Sequence, residues 1–600
     1  MIPRRIASRV LTWMAAALLL AGCRSHEPSG VPEPKGPARP NVILIMTDDQ
    51  GAGDLGIAGN PVIETPSLDR LARESASMSA FYVHPVCTPT RAALMTGRYP
   101  YRTRAIDTWI GRAMMEPDEI TIAELLRDAG YATGIFGKWH LGDCYPMRAM
   151  DQGFEESLVH RGGGLAQPSE PIENERRYTD PILFRNGESV ATEGYCTDVY
   201  FDAALDWIEA CHEGERPFFA YVATNAPHGP FHDVPAELYE KYRESDFVGV
   251  LREDQTKARD TTARIFAMIE NIDQNVGRLL ERLEGLDIAD DTIVIYLHDN
   301  GPNGDRYVAD RHDVERRGRK SQVFEGGIRS PFFVRWPARL VAGTTNDRIA
   351  ANIDVLPTIA DACGVPLPTD RPIDGRSLLP LLEGRASTAW PERRLFLQSH
   401  RGDEPVLGHN FAVRGDRYKL LRASGFGRET LPERPPPFEL YDVLDDPGET
   451  ANLATERPEI VARMFREYRM WFDDVSSTRP DNYAPPRIVA GTPNERVTWL
   501  TRQDWRRIAG GGWGQGGEWR IEVPTTARFD VVAHVREPFA GTARFVAGER
   551  MAEVAVSSPT RAILFDAIDL PASPLDLRIE LERDGEMAGP YQVELRWLGP

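Results

Sequence analysis

Asn41-Val42-Ile43-Leu44-Ile45-Met46-Thr47-Asp48-Asp49-Gln50-Gly51 is a largely apolar run that ends in two adjacent carboxylates. It shows no polar–apolar alternation, so it predicts a strand buried on both faces, as in the middle of a parallel sheet. Two further runs share the pattern. Thr292-Ile293-Val294-Ile295-Tyr296-Leu297 leads into His298-Asp299-Asn300-Gly301, and Pro217-Phe218-Phe219-Ala220-Tyr221-Val222-Ala223 leads into Asn225-Ala226-Pro227-His228. Each ends in groups able to bind ions or move protons, and open α/β sheets collect ligands at the carboxyl ends of their strands. Helical patterns alternate with these strands. Ile122 to Ala129 is stopped by Gly130, and Phe266 to Leu283 places Ile269, Ile272, Val276, Leu279 and Leu280 on one face. The alternation predicts an α/β fold with a mostly parallel central sheet flanked by helices.

At 600 residues the chain has room for several domains. Its formal charge of −20 argues against nucleic-acid binding, which needs a dominant basic field. An anionic small group remains possible as a ligand, because a local cluster of Lys, Arg and metal overrides net charge. Arg4, Arg5 and Arg9 precede an apolar run from Val10 to Ala21. That run falls short of the roughly 20 residues of a membrane span and predicts a secretory signal. Leu20-Ala21-Gly22-Cys23 resembles a bacterial lipobox, which makes residues 1–23 a lipoprotein signal and Cys23 the lipid-anchored first residue of the mature chain. Arg24 follows, so nothing resembles an inner-membrane retention signal. Residues 24–39 are a Pro-rich tether. The expected location is therefore the periplasm or cell surface. Cys144, Cys196, Cys211 and Cys363 either pair there or stay free and buried; spacing does not decide their connectivity.

Val86-Cys87-Thr88-Pro89-Thr90-Arg91-Ala92-Ala93-Leu94-Met95-Thr96-Gly97-Arg98 opens a helix-like run with Cys-X-Pro-X-Arg and closes it with Thr-Gly-Arg. A single cysteine near a proline is ordinarily a small buried residue. This segment, however, resembles the motif of type I, formylglycine-dependent sulfatases, arylsulfatase-like members of the alkaline phosphatase superfamily. The resemblance implies that a formylglycine-generating enzyme oxidises Cys87 to formylglycine. One hydroxyl of the hydrated aldehyde then attacks sulfur and expels the alcohol. The other loses its proton, the carbonyl re-forms and sulfate leaves by C–O cleavage, a reset that a serine could not perform.

The same resemblance extends to the other motifs. It implies one divalent cation held by Asp48, Asp49, Asp299 and Asn300 with the oxygen of residue 87, calcium first and magnesium second, both suited to oxygen ligands. Asp48-Asp49 or Asp299-Asn300-Gly301 taken singly is the composition of a turn or cap; two such pairs, each after a buried strand, favour a shared site. Gly137-Lys138-Trp139-His140-Leu141-Gly142 resembles the family's Lys-Trp-His-Leu-Gly element. It implies that Lys138 contacts the sulfate and the diol and that His140 holds or deprotonates the second hydroxyl. Pro227-His228-Gly229-Pro230 implies His228 as general acid on the bridging oxygen. Lys320, five residues before Glu325-Gly326-Gly327, implies a distal lysine on the sulfate and leaving oxygen, preferred by spacing over Arg319. Arg91 implies a rigid fork that orients residue 87 and the carboxylates. Together these groups would make a preorganised cationic cradle. Three positions depart from the family pattern. Thr90 and His298 stand where Ser is more usual, and Ser330 where Val is.

The resemblance covers about residues 40 to 478: a catalytic α/β domain at 40–385 and a small α+β subdomain at 386–478, with four short strands and a helix near Glu459 to Phe472. Pro485-Pro486 marks a break. Residues 487–600 carry short alternating segments, such as Glu518 to Val523 and Leu577 to Leu581, and predict an appended β-sandwich. His84, His232 and His312 are expected in loops or on the surface. Asp107 and Trp109 follow the Cys87 segment and either touch a sugar or touch nothing. Trp499, Trp505, Trp513 and Trp519 read first as sandwich core. The expected activity is hydrolysis of sulfate monoesters, with sulfated carbohydrate as substrate and aryl sulfates as models. The alternatives are a phosphonate or phosphodiester hydrolase of the same superfamily and a non-catalytic glycan-binding lipoprotein.

Overall fold

The computed structural model describes residues 39–600 except 166, 253–254, 305–307, 309–310, 313, 386–389, 480–483, 508–512 and 514–515. The signal segment, Cys23 and the tether up to residue 38 lie outside the described residues.

Strand Asn41–Thr47 sits in the middle of a ten-stranded sheet. Thr292–His298 runs parallel on one side and Phe218–Ala223 on the other; Ala132–Lys138 and Glu156–His160 continue the parallel order outward. The register aligns Thr47 with His298, and Ala223 with both Met46 and Gly137, so four strands end side by side. The edges depart from the parallel pattern. Phe332–Arg335 and Ile182–Arg185 each join antiparallel, which makes the whole sheet mixed.

Alternate residues of the central strands enter two different cores. Val42, Leu44 and Met46 join Tyr221, Ile295 and Leu297 on one face, where helices Cys87–Thr96, Ile122–Asp128 and Val355–Cys363 pack. Ile43 and Ile45 join Val222, Val294 and Tyr296 on the other, under helices Cys196–Glu213 and Thr256–Gly285. Burial on both faces is why the strand sequences lack alternation. The long helix begins at Thr256 rather than near Phe266. Its first turns pack on a separate cluster with Tyr242, Phe247 and Val250, a partner the local pattern does not reveal.

Strands Leu395–Gln398, Phe411–Arg414, Tyr418–Arg422 and Glu439–Asp442 form an antiparallel sheet backed by helix Pro458–Ser476. Beyond Pro486 the chain forms one curled sheet rather than two separate layers. Its strands Ala527–Ala547 and Arg550–Leu570 each run 21 residues. The first half of Ala527–Ala547 pairs with Gln592–Gly599 and the second half with Ser573–Arg583, so one strand serves both sides of the core. Register shifts between Phe529 and Val531, and between His534 and Phe539, bend it. Those bulges also interrupt the alternation, which is why the sequence suggests short strands. Trp505 and Trp519 are fully buried in this core, whereas Trp499 and Trp513 lie at its margin.

Residues 39–600 make one compact unit. Met114, Cys144 and Met147 share the core of the curled sheet, and Gly111 N–H donates to Gln503 O at 3.1 Å. Among the described residues the five cysteines, Cys87, Cys144, Cys196, Cys211 and Cys363, are free and buried, and no helix is long and apolar enough to cross a membrane. Trp519 donates from Nε1 to Thr501 O at 2.6 Å and packs 5.8 Å from Trp505. Trp519→Ala is expected to cost about 3–5 kcal/mol, read as a lower urea midpoint. An unchanged midpoint would show that the curled sheet lies outside the cooperative unit.

Candidate active site

The four adjacent strand ends bring the candidate residues together. Asp48 and Asp49 follow Asn41–Thr47, Asp299 and Asn300 follow Thr292–His298, Lys138 ends Ala132–Lys138, and His228 lies just beyond Phe218–Ala223. Gly137 has φ +118, and a Cβ there would stand 1.9 Å from Ala223 O. Only glycine lets Lys138 reach its place beside the neighbouring strand. Asp49 and His140 hold left-handed backbone at φ 64 and 58, conformations that cost energy for a side-chain-bearing residue and are retained here by the surrounding contacts.

Helix Cys87–Thr96 lays its first turn over this ring, and all ten of its residues are buried. Arg91 Nη1 donates to Lys138 O at 2.8 Å and its Nη2 to Asp299 Oδ2 at 3.0 Å. Thr90 accepts from His84 N–H at 3.0 Å and donates to His84 O at 3.1 Å, which secures the start of the helix. Cys87 Sγ lies with carboxylate oxygens of Asp48 and Asp299, all within 4.8 Å of one another. Burial, with Asp48 and Asp299 adding to it, pushes the thiol up to about 11 despite Lys138 and Lys320. Cys87 is therefore a poor source of thiolate at neutral pH.

Lys138 Nζ is 2.5 Å from Asp48 Oδ2, with both side chains fully buried. Lys320 Nζ is 2.5 Å from Asp49 Oδ1, which also accepts from Asn300 Nδ2 at 2.8 Å. Burial works against ionised Asp48, yet Lys138, His228, Arg91 and Lys320 hold it well below the usual carboxylate range. Burial and the neighbouring Asp48 raise Asp299 to about 7. His228 Nε2 faces Asp49 Oδ2 at 3.6 Å, while its Nδ1 lies 2.6 Å from Gly229 O. Burial lowers His228 and, with Lys138 and Arg91, lowers His140 far below the ordinary imidazole value.

Three inward oxygens, Asp48 Oδ1, Asp49 Oδ2 and Asn300 Oδ1, are buried with no hydrogen-bond partner. Buried acceptors are seldom left so. The carboxylates of Asp48, Asp49 and Asp299 also balance only the charges of Lys138, Lys320 and Arg91. A hard divalent cation fits these oxygens and would leave the centre net positive for an anionic ester.

A cleft of about 310 Å3 opens above, lined by Val86, His228 and Lys320 and walled by Trp109, Arg401 and Trp513 among others. Lys320, not Arg319, therefore faces the centre. Trp109 does line the cleft, while Asp107 is buried and paired to Arg401 Nη1 at 2.6 Å. His84 is buried beneath the helix, 3.4 Å from Asn352 Nδ2, His232 is exposed, and His312 sits in a loop 3.3 Å from Gly249 O. His298 turns away from the centre. Its Nε2 lies 3.1 Å from Tyr296 Oη, and its backbone N–H donates to Ser330 Oγ at 2.8 Å, so two departures from the family pattern meet.

Three site residues carried no signal in the sequence. Gln503 Nε2 donates to Thr108 O at 2.5 Å and lies 3.3 Å from His140 Nε2, which is itself 3.0 Å from Thr108 O. Gln167 and Arg401 line the cleft. They come from three separate loops, with no motif around them.

A buried centre of lysines, arginine and carboxylates at parallel strand ends, under a helix N-terminus, is suited to an anionic ester. The family profile "Sulfatase" matches residues 40–365, and "N-sulphoglucosamine sulphohydrolase, C-terminal" matches residues 319–469. The chain is 34% identical over 413 residues to the N-acetylgalactosamine-6-sulfatase of Canis lupus familiaris, covering 64% of this chain and 72% of that one. It is 33% identical over 462 residues to the arylsulfatase A of Homo sapiens, covering 70% and 85%. The chain belongs to the sulfatase family, and it is a sulfuric ester hydrolase. Among solved structures, Ps i-CgsB in complex with k-i-k-neocarrahexaose superposes with TM-score 0.62 at 26% identity, over 74% of this chain and 95% of that one. The phosphonate monoester hydrolase of Agrobacterium radiobacter, at 18% identity and TM-score 0.52 over 73% and 96%, shares the fold.

If the orphaned oxygens hold a cation, calcium added to chelator-stripped protein is expected to raise its melting temperature by several degrees. Asp49→Ala should abolish most of that rise. Melting of the parent that is indifferent to both calcium and magnesium would exclude a cation from this centre.

Proposed function

We propose that this enzyme removes sulfate from sulfated glycans, with Cys87 oxidised to formylglycine as the source of the attacking oxygen. The observation that carries this is the setting of Cys87. A thiol held up to about 11 is a weak nucleophile where it stands, yet it occupies the centre of a ring of cations and carboxylates. The hydrated aldehyde would supply one oxygen to attack sulfur and a second hydroxyl whose deprotonation re-forms the carbonyl and releases sulfate by C–O cleavage. Calcium, held by Asp48, Asp49, Asp299 and Asn300, would supply charge neutralisation on the sulfate oxygens.

Position supports the other roles. Lys138 lies beside Asp48 within the ring and is placed to steady the non-bridging oxygens. Lys320 reaches in from the cleft wall and is placed to hold the sulfate from the outer side. His228 lines the cleft, where the leaving oxygen must emerge; burial lowers its pKa, so it donates a proton there only in the imidazolium form that Asp49 favours. His140 is kept neutral by burial and nearby cations, and its Nδ1 has no partner, so it can accept the proton of the second hydroxyl. Arg91 fixes the start of the helix against Asp299 and Lys138 O.

The glycan assignment draws on the oligosaccharide bound to the structural relative and on the sulfatases of amino sugars among the sequence relatives. We place the enzyme outside the cytoplasm, anchored through Cys23, on the strength of the lipobox in its sequence.

The mass of the tryptic peptide Glu74–Arg91 from a host that matures sulfatases tests the nucleophile. An aldehyde trapped by a hydrazide is expected at residue 87; an unmodified thiol together with full activity would sink the mechanism. His228→Ala is expected to lower kcat by about 100-fold or more on alkyl sulfates and far less on p-nitrophenyl sulfate, whose leaving group needs no proton. Equal losses on both would remove His228 from the acid role. Faster turnover of p-nitrophenyl phosphate than of the sulfate would turn the assignment toward phosphorus esters.

A further inference from the structure

The β domain beyond residue 487 carries a groove of about 860 Å3, lined by Arg176, Arg502, Arg536 and Arg583 with Trp513 and Tyr591. Neutral partners orient three of these arginines. Arg502 donates to the carbonyls of Trp513, Gly589 and Pro590, Arg583 to those of Pro538 and Ala540, and Arg536 to the Tyr591 hydroxyl at 2.9 Å. Backbone carbonyls and a phenol fix the guanidinium planes without cancelling their charge. Four arginines against the three carboxylates of the lining leave the groove net positive by one in a chain of net charge −20. Arg536 also lies 4.3 Å over the Tyr591 ring, so charge and an aromatic face are presented together. Glu537, Asp584 and Glu586 share the lining and offer acceptors to hydroxyl groups. Arginines, carboxylates and aromatic rings in one groove match a ligand that is both sulfated and hydroxylated better than they match a bare polyanion.

This groove and the catalytic cleft adjoin. Trp513 lines both; Gln167 lines the cleft while its neighbour Pro168 lines the groove. The Tyr591 hydroxyl donates to Gln167 O at 3.3 Å and Glu170 O at 3.0 Å, which ties the groove wall to the loop at the cleft. Both family profiles end by residue 469, so this domain is an addition to the matched catalytic region.

We propose that the groove binds further sulfated units of the same polysaccharide chain whose target sulfate enters the catalytic cleft. The proposal rests on the sulfated-glycan assignment above. It makes the enzyme selective for chains over single sugars, since a ligand that fills both sites gains from linked binding.

The test uses the full chain, with p-nitrophenyl sulfate as the small substrate and dextran sulfate as the polymer probe. Arg536→Ala/Arg583→Ala leaves Arg502 and its three carbonyl contacts intact. It is expected to keep kcat/KM on p-nitrophenyl sulfate within about twofold, and to weaken dextran sulfate binding by about tenfold at low salt through loss of two charged hydrogen-bond donors. Arg536→Lys/Arg583→Lys is expected to retain most of the affinity. Unchanged polymer affinity in the alanine variant, equal loss in both variants, or equal binding of unsulfated dextran by the parent would each overturn the proposal. Failure of the catalytic assignment would appear separately, as matured parent protein that releases no sulfate from p-nitrophenyl sulfate.

Discussion

Two buried cation–carboxylate contacts, Lys138 with Asp48 and Arg91 with Asp299, hold the centre of this enzyme in register. Each joins different elements: one links two strand ends, the other ties the Cys87 helix to a third. Burying such pairs is costly, and an unpaired member costs more still. The geometry therefore stands or falls as a set. Lys138 needs the glycine before it to reach Asp48, and Arg91 needs the helix start to be secured by Thr90. The three oxygens without hydrogen-bond partners are what remains after these pairs are made, and a divalent cation held there would leave the centre net positive.

The second constraint is the docking of the curled sheet. It shares core residues with the loop after Trp139 and sends Gln503 to within 3.3 Å of His140. Trp513 meets Trp109 edge-on at 5.4 Å across the cleft wall. The domain thus helps to shape the cleft, and its arginine groove lies next to that cleft, with Trp513 lining both. Its long strands make this possible. A strand that bends at bulges crosses from one side of the core to the other without ending, and the sheet can curl against its neighbour.

The sequence by itself determined the central strands, because a segment buried on both faces must be apolar throughout. It also marked most of the candidate ring, because Asp48, Asp49, Lys138, His140, His228, Asp299 and Asn300 lie within a few residues of such a strand and Cys87 and Arg91 within the Cys-X-Pro-X-Arg helix, whereas Lys320 is brought in by the fold. Short-range geometry then leaves little freedom: a residue just past a strand end points where the strand delivers it. The family resemblance supplied the roles that position alone does not. Tertiary structure decided everything that depends on segments distant in the chain. Gln503, Arg401 and Gln167 reach the cleft through folds of the chain that no local period records, and two of the four tryptophans raised in the last domain proved to be core while Trp513 faces the cleft. The same holds for the curl of the final sheet, since a bulge interrupts alternation and makes one long strand read as several short ones. Local pattern encodes which face of an element is buried; which other element does the burying is settled only when the chain has folded.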